Sequence, residues 1–496
     1  MDSLICCSLD GHLIQGYDLT LLRTLFVALL LTAICFLLWE DPADMEQSIA
    51  WAEFVEKNEK VEFVWLQFLS YTSNTLVRII PRAKFTDMLR DGQHLSMTSC
   101  ILHLLPGDRL AHGASPSGKL YLRPDINSVY CQAGSNGTRA VINVDCIQEN
   151  GFPIAECARS KLFDLHGILQ KELGSSLLVG FEVEVMFLKP KKKDGITVDY
   201  EPINTQHSFT SLTPEDRTHM DLIEAVARAL STVGIALEQF HAEAGPGQWE
   251  FVLPPAEPLQ AIDILLRARE TIVHIAQTFG LRATVYTQPF PEQPCNGAHV
   301  HLSVNPLDKS TRPERLKPEE VQKAESFFAG VMRHFPAILA FALPSDISYG
   351  RVATGIWSGG EYAAWGWENK EVPLRRIAKN RFEIKLVDGL SNPYLVLCAI
   401  LSAGIIGMRA KLPLQGGHCS TAPARLSVEE RKALGVTDRL PATLDESLGA
   451  LEEDTQMRDL LGDEIISSYI PVKRGEAEFL RAMDDDQRKV WLIARY

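Results

Sequence analysis

Basic charge is scarce in this sequence: 49 Lys and Arg stand against 63 Asp and Glu, a formal net charge of −14. A chain so short of cations has little with which to neutralise a run of phosphates, which argues against a general nucleic-acid partner. The one basic run, Lys191–Lys193 beside Pro190, reads as a solvated loop. Cysteine is present but unpatterned. The 10 cysteines include no C-x-x-C pair, only the adjacent Cys6 and Cys7. Neither a disulfide framework nor a thiolate zinc site is expected, and reduced thiols in a cytoplasmic setting are the default. Internal repeats and low-complexity stretches are also missing. No G-x-x-x-x-G-K-S/T loop is present and no G-x-G-x-x-G follows a strand, so any nucleotide is not held by a P-loop or a Rossmann turn.

Long apolar runs are few, and one lies near the start of the sequence. Thr24–Trp39 carries no charge and extends to Leu21 only across Arg23. It is short of the roughly 20 residues that span a bilayer. It is long for a signal-peptide core of about 7–15, and no small-residue cleavage site follows it. Arg23 precedes it while Glu40, Asp41, Asp44 and Glu46 follow, so as an anchor it would place the rest of the chain outside the cytosol. A buried helix or a misassigned start competes with a membrane anchor through Leu21–Trp39.

What is there is the composition of an ordinary globular enzyme, 46% hydrophobic and 23% charged over 496 residues. Residues 61–81 read as two short strands around a Ser/Thr/Asn turn, and 100–150 continue in short strands with Gly and Pro punctuation. From about residue 156 long helical patterns alternate with strands. Thr213-Pro214-Glu215-Asp216 opens a helix that Gly234 closes; another runs from Leu259 to Phe279 and stops at Gly280. Asn392-Pro393 caps an apolar core helix through Met408, and Ser427–Glu430 is a capping box. The expected organisation is α+β: an extension over 1–44 with the apolar helix 21–39, a small β-rich domain over 45–155, and a large mixed domain over 156–496.

The chemistry is carried by strands that point charge to one side. In Gly180–Leu188, Phe181, Val183, Val185 and Phe187 share one face, so Glu182 and Glu184 share the other. Glu250 lies opposite Trp249 and Phe251, with Glu243 just before it across Ala-Gly-Pro-Gly. His299 and His301 face away from Val300 and Leu302, and Arg381, Glu383 and Lys385 away from Phe382, Ile384 and Leu386. Any one such strand is most simply a half-exposed strand with a wet face. If the four are neighbours, five carboxylates and an imidazole converge, and their repulsion calls for cations. Oxygen-rich ligands with one imidazole suit Mg²⁺ or Mn²⁺ better than a structural zinc. Ringed by Arg and Lys, such a site handles phosphoryl groups.

At these residues the chain resembles glutamine synthetase, from about residue 61 to the C-terminus. The family's G-x-E-x-E strand corresponds to Gly180–Glu184, E-x-x-P-G-Q-x-E to Glu243–Glu250, H-x-H to His299–His301, and R-x-E-x-R to Arg381–Lys385. Asn392-Pro393-Tyr394 and Ser348–Arg351 match further elements, and Trp357–Asn369 is similar to the fungal FluG-type branch. The resemblance implies a small N-terminal β-grasp-like domain followed by a large catalytic α/β domain on an antiparallel sheet. It implies ATP as co-substrate and two or three Mg²⁺ or Mn²⁺ ions, one on Glu184, Glu243 and Glu250 and a second on Glu182, His299 and Glu383. His301 and Arg381 would lie near the nucleotide, Arg351 would hold the α-carboxylate of glutamate, and Arg375 would stabilise the transferring phosphoryl group. The implied reaction phosphorylates the γ-carboxylate of glutamate and lets ammonia or an amine displace phosphate. Homo-oligomers, in double rings whose small domains close neighbouring sites, are implied as well.

The departures from the family pattern are chemically pointed. Ser70 stands where an Asp helps bind ammonium, and the flap glutamate that deprotonates ammonium has no clear counterpart, Glu361 being a poor substitute by position. Lys370 and Lys385 replace arginines, keeping charge but losing the planar fork. Pro294–Gly297 alters the loop before the histidines. The acceptor is then a larger amine needing no anionic ammonium pocket, or catalysis is lost and the fold serves signalling or assembly; metal-dependent hydrolysis without glutamate is a third reading.

Overall fold

The computed structural model describes residues 42–205, 208–308, 315–414, 416 and 418–496. The Leu21–Trp39 segment lies outside the described residues, and no described helix is long and apolar enough to cross a membrane.

Phe63–Leu69 and Thr75–Pro81 form the expected strand pair, antiparallel from Phe63 opposite Pro81 to Leu69 opposite Thr75. Phe63–Leu69 also pairs in parallel with Arg139–Ile147, and the sheet continues through Lys119–Pro124 to Leu95–Thr98. Its apolar face, including Val64, Leu66, Phe68 and Ile142, packs on Trp51 of the helix Pro42–Lys57 and on Phe85 and Met88 of the helix Arg82–Arg90.

The second sheet carries the charged strands. Their spatial order is Gln239–Ala242, Gln248–Val252, Ser175–Lys193, Val300–Pro306, Arg381–Ile384, Leu374–Arg376 and Trp365–Trp367. Every neighbouring pair in that order is antiparallel except the last. The alternating apolar set (Phe181, Val183, Val185, Phe187, Trp249, Phe251, Val300, Leu302, Phe382, Ile384) lies in one core with the surrounding helices. Each such side chain contributes about 1.5–3 kcal/mol by burial, which fixes the face and therefore the register.

Behind the sheet, Pro393–Arg409 is the expected core helix, capped by the Asn392 side chain accepting from the backbone N–H of Tyr394 and Leu395. It lies against Pro318–Arg333 almost backbone to backbone: a Cβ on Gly330 would sit 2.1 Å from the Ala403 carbonyl oxygen. Pro258–Thr278 ends before Gly280, and Val428–Ala433 carries the Ser427/Glu430 capping box. One expectation is corrected. The helix from Thr213 to Gly234 is two helices, Pro214–Arg217 and Met220–Thr232. The break falls at His219, whose backbone leaves the helical region (ψ 3°) while its ring nitrogen reaches the Ile203 carbonyl at 3.2 Å.

The first sheet is tied to the helices Ala158–Leu173 and Pro258–Thr278 through a buried ion cluster. Arg159 meets Asp125 (2.7 Å), Asp145 (3.4 Å) and Asp263 (3.2 Å), and Asn143 donates to Asp263 at 2.8 Å.

Candidate active site

Register gathers the charges. Glu250 stands opposite Glu184, His301 opposite both Gly180 and Glu383, Arg375 opposite Glu383, and His241 opposite Glu250. Residues directly opposite in an antiparallel pair point to the same side, so one polar face holds them all.

His299 is the hub. Its Nδ1 lies 2.8 Å from Glu182 Oε2 and 3.5 Å from both Glu184 Oε1 and Glu383 Oε1. On the other side of the ring, Nε2 faces the Arg351 guanidinium at 3.3 Å and Lys385 Nζ at 3.4 Å. Glu182 is also reached by His301 Nε2 at 2.8 Å, and His301 Nδ1 lies 3.1 Å from Arg381. Glu184 accepts from Gln248 Nε2 (2.8 Å) and from the Gly297 backbone N–H (2.7 Å), which aims its second oxygen at His299. A Cβ on Gly297 would stand 2.7 Å from His299 Nε2 and 2.8 Å from Glu184 Oε1, so the altered loop keeps a glycine where the cluster needs the space.

Three groups bring donor atoms within 4.8 Å of one another: Glu182/His299/Glu383, Glu184/Glu250/His299 and His241/Glu243/Glu250. The first is the set assigned above to the second ion. Glu184, Glu243 and Glu250 are distributed over the other two, with Glu250 shared. His241 was missed in the sequence; the signal was available, since it precedes Glu243 by one strand period, but its partner is revealed only by the hairpin. Carboxylates around one imidazole make a donor set that fits Mg²⁺ or Mn²⁺.

The electrostatics divide the cluster. Burial opposes charge on Glu182, yet the bonds from His299 and His301 hold its carboxyl well below the usual range. Burial likewise opposes charge on Glu383, and Lys385 followed by His299 bring it down to about 2. On the other side burial, with Glu184 adding, pushes Glu243 up to about 7. Burial also pushes Glu250 up to about 8 against its bond to His241, with Glu182, Glu184 and Glu243 adding to the rise. His241, bonded to Glu250 (3.4 Å apart), is raised to about 9, so that pair retains a proton above neutrality. A cation entering this corner must displace protons bound to groups with raised affinity. Divalent-metal affinity is therefore expected to climb as pH rises through 7 to 9, by up to about tenfold per pH unit for each proton displaced, and then to level off. Calorimetric Mg²⁺ titrations in steps from below the lowest to above the highest of these values check this; a flat profile would contradict it.

Lys385 is buried and donates to Glu383 Oε1 at 3.0 Å. Arg375 sits between Glu383 (2.9 Å) and Glu368. Arg351 is only 2% exposed and donates to the carbonyls of Asn296 (2.8 Å) and Lys385 (3.2 Å). Lys370 stands apart from this ring, its Nζ over the faces of Phe209 (4.9 Å) and Trp357 (5.3 Å). Glu361 joins none of the donor groups and pairs with Arg439 at 2.5 Å. Ser70 is buried in the turn of the first strand pair, its hydroxyl bonded to Thr72 (2.9 Å) and to the Asn74 N–H (3.0 Å).

The family model described as glutamine synthetase, catalytic domain, matches residues 156–490. Protein fluG of Emericella nidulans is 40% identical over 90% of this chain, which spans 50% of that protein. The γ-glutamylpolyamine synthetase GlnA3 of Streptomyces coelicolor is 29% identical, with 90% of this chain and 96% of the relative covered. Glutamine synthetase of Methanocaldococcus jannaschii is 27% identical over 92% of this chain and 99% of its own. Among solved structures, "GmaS/ADP complex-Conformation 1" superimposes with a TM-score of 0.74 at 22% identity, covering 89% of this chain and 99% of that one.

Proposed function

The chain belongs to the glutamine synthetase family, and on that footing we propose that it is an ATP-dependent ligase joining glutamate, or a close analogue, to ammonia or an organic amine through a γ-glutamyl phosphate. The observation that carries this reading is the meeting of Glu182, Glu184, Glu250, His299 and Glu383 on one face, flanked by Arg351, Arg375 and Lys385. Divalent ions would be held by Glu182, His299 and Glu383, and by Glu184, Glu243 and Glu250 with His241 beside them. Bound there, they supply positive charge to the phosphates.

The chain's own residues do the rest. Arg375 and Lys385, held on the two oxygens of Glu383, are the cations that face negative charge developing on a transferring phosphoryl group. Arg381 and His301 form the rim at which a nucleotide enters. Arg351 is the guanidinium next to the cluster that selects a substrate carboxylate. Ser70, neutral and bonded within its own turn, offers no charge to ammonium, which favours an organic acceptor; the name of the Streptomyces relative supports the same choice. The same Ser70 is what keeps a catalytically silent, oligomeric role as the second reading. We further propose a cytoplasmic catalytic body in a double-ring homo-oligomer, the small sheet of each copy closing the site of the next. The test is phosphate release with ATP, Mg²⁺ and glutamate across a panel of amines including ammonium. Turnover with at least one organic amine is expected. Silence with every amine, from protein that binds ATP, would overturn the reading.

A further inference from the structure

An aromatic cage already occupied by a cation stands beside the acidic corner. Lys370 Nζ lies 4.9 Å from the Phe209 ring centroid and 5.3 Å from that of Trp357, within the range of cation–π attraction. Phe209 in turn packs edge-on against His241, centroids 5.7 Å apart at 83°. His241 belongs to the donor group with Glu243 and Glu250, so the cage adjoins the cluster through one ring contact. Both cage walls open to solvent, Phe209 at 42% and Trp357 at 57% exposure, so a second cation has a way in. Trp357 is held in place by its backbone rather than by burial: it adopts φ +58°, and its N–H donates to Glu371 Oε1 at 2.9 Å. A tryptophan kept exposed at an unfavourable backbone angle beside a reactive cleft calls for a role beyond packing.

We propose that Phe209 and Trp357 are the acceptor-specificity residues of the ligase, a cage that takes an alkylammonium group in place of the Lys370 side chain, and that the acceptor is an aliphatic diamine or longer polyamine. The inference rests on the ligase reading above. A nitrogen held between two ring faces stays protonated and is no nucleophile, so the acceptor needs another one. That second nitrogen, after losing its ammonium proton to solvent, attacks the acyl carbon of γ-glutamyl phosphate. A C–N bond forms, the C–O bond to phosphate breaks, and phosphate leaves carrying the proton that the amide nitrogen gives up. The excess of carboxylates over cations, −14 for the chain, draws a polycation toward the cleft. Ammonium has no alkyl chain by which to reach both places.

Putrescine serves as the probe, in two measurements on the full chain. Calorimetric binding without ATP tests the cage; steady-state phosphate release with ATP, Mg²⁺ and glutamate tests its use. Phe209→Ala and Trp357→Ala are each expected to weaken putrescine binding by about tenfold and to raise its KM in proportion, with kcat at saturating putrescine and the KM of glutamate little changed. Phe209→Tyr keeps a ring face and is expected to retain native binding, whereas Phe209→Leu keeps apolar bulk without a ring face and is expected to weaken it as alanine does, a loss that a merely structural role for side-chain bulk does not predict. Native protein that binds no putrescine, or alanine variants that bind it as the native does, would overturn the proposal. The two readings fail separately. Binding lost in the variants without any turnover in the native protein upholds the cage and sinks the ligase. Turnover with diamines that the variants leave unchanged upholds the ligase and sinks the cage.

Discussion

Glu184→Gln is expected to weaken divalent-metal binding by about 100-fold or more and to abolish turnover while leaving the fold in place. The asymmetry follows from how the side chain is held. One carboxylate oxygen accepts from Gln248 and from the Gly297 N–H, and an amide oxygen can keep both bonds. The other oxygen, 3.5 Å from His299 Nδ1, then becomes an NH₂ group aimed at the cluster, where a metal needs a lone pair. The retained bonds limit the stability loss to about 1 kcal/mol. A metal titration beside a thermal melt reads both effects. An unchanged titration would show that Glu184 does not serve the polar face.

Arg351→Ala should be the more damaging change to the fold as well as to glutamate use. The guanidinium is 2% exposed, and its N–H groups satisfy the carbonyls of Asn296 and Lys385. Truncation leaves both acceptors unpaired and a void beside His299, at a cost of about 3–5 kcal/mol. Arg351→Lys restores charge but not the fork that reaches both carbonyls, so it is expected to recover part of the stability and little of the glutamate-dependent activity. Denaturation curves and glutamate saturation check the pair of variants. If ATP hydrolysis persists in Arg351→Lys with no dependence on glutamate in either protein, the hydrolase reading gains and the ligase reading fails.

Much of the site could be read from the sequence because strand alternation is local physics. Phe181, Val183 and Val185 are enough to turn Glu182 and Glu184 to the opposite face, and the same holds for His299 and Glu383 around their apolar neighbours. What alternation cannot supply is which strands lie side by side. Glu250 faces Glu184, and His301 faces Glu383, through pairings between segments distant in the chain. The family resemblance supplied that order. It did not extend to His241, whose partnership with Glu250 needs the hairpin register, or to Phe209, which comes from a loop and meets Lys370 only in three dimensions. The helix break at His219 was hidden for a similar reason: it coincides with a contact to the Ile203 carbonyl, and the local pattern carries no trace of it.

The central claim is a γ-glutamyl phosphate, and the amine-panel assay tests it most directly when the glutamate carries oxygen-18 in its γ-carboxylate. Transfer through the acyl phosphate predicts that the phosphate released with an accepting amine contains one labelled oxygen taken from glutamate, because the C–O bond is the one that breaks. Unlabelled phosphate, released at the same rate, would mean that water attacks ATP directly and would contradict the account.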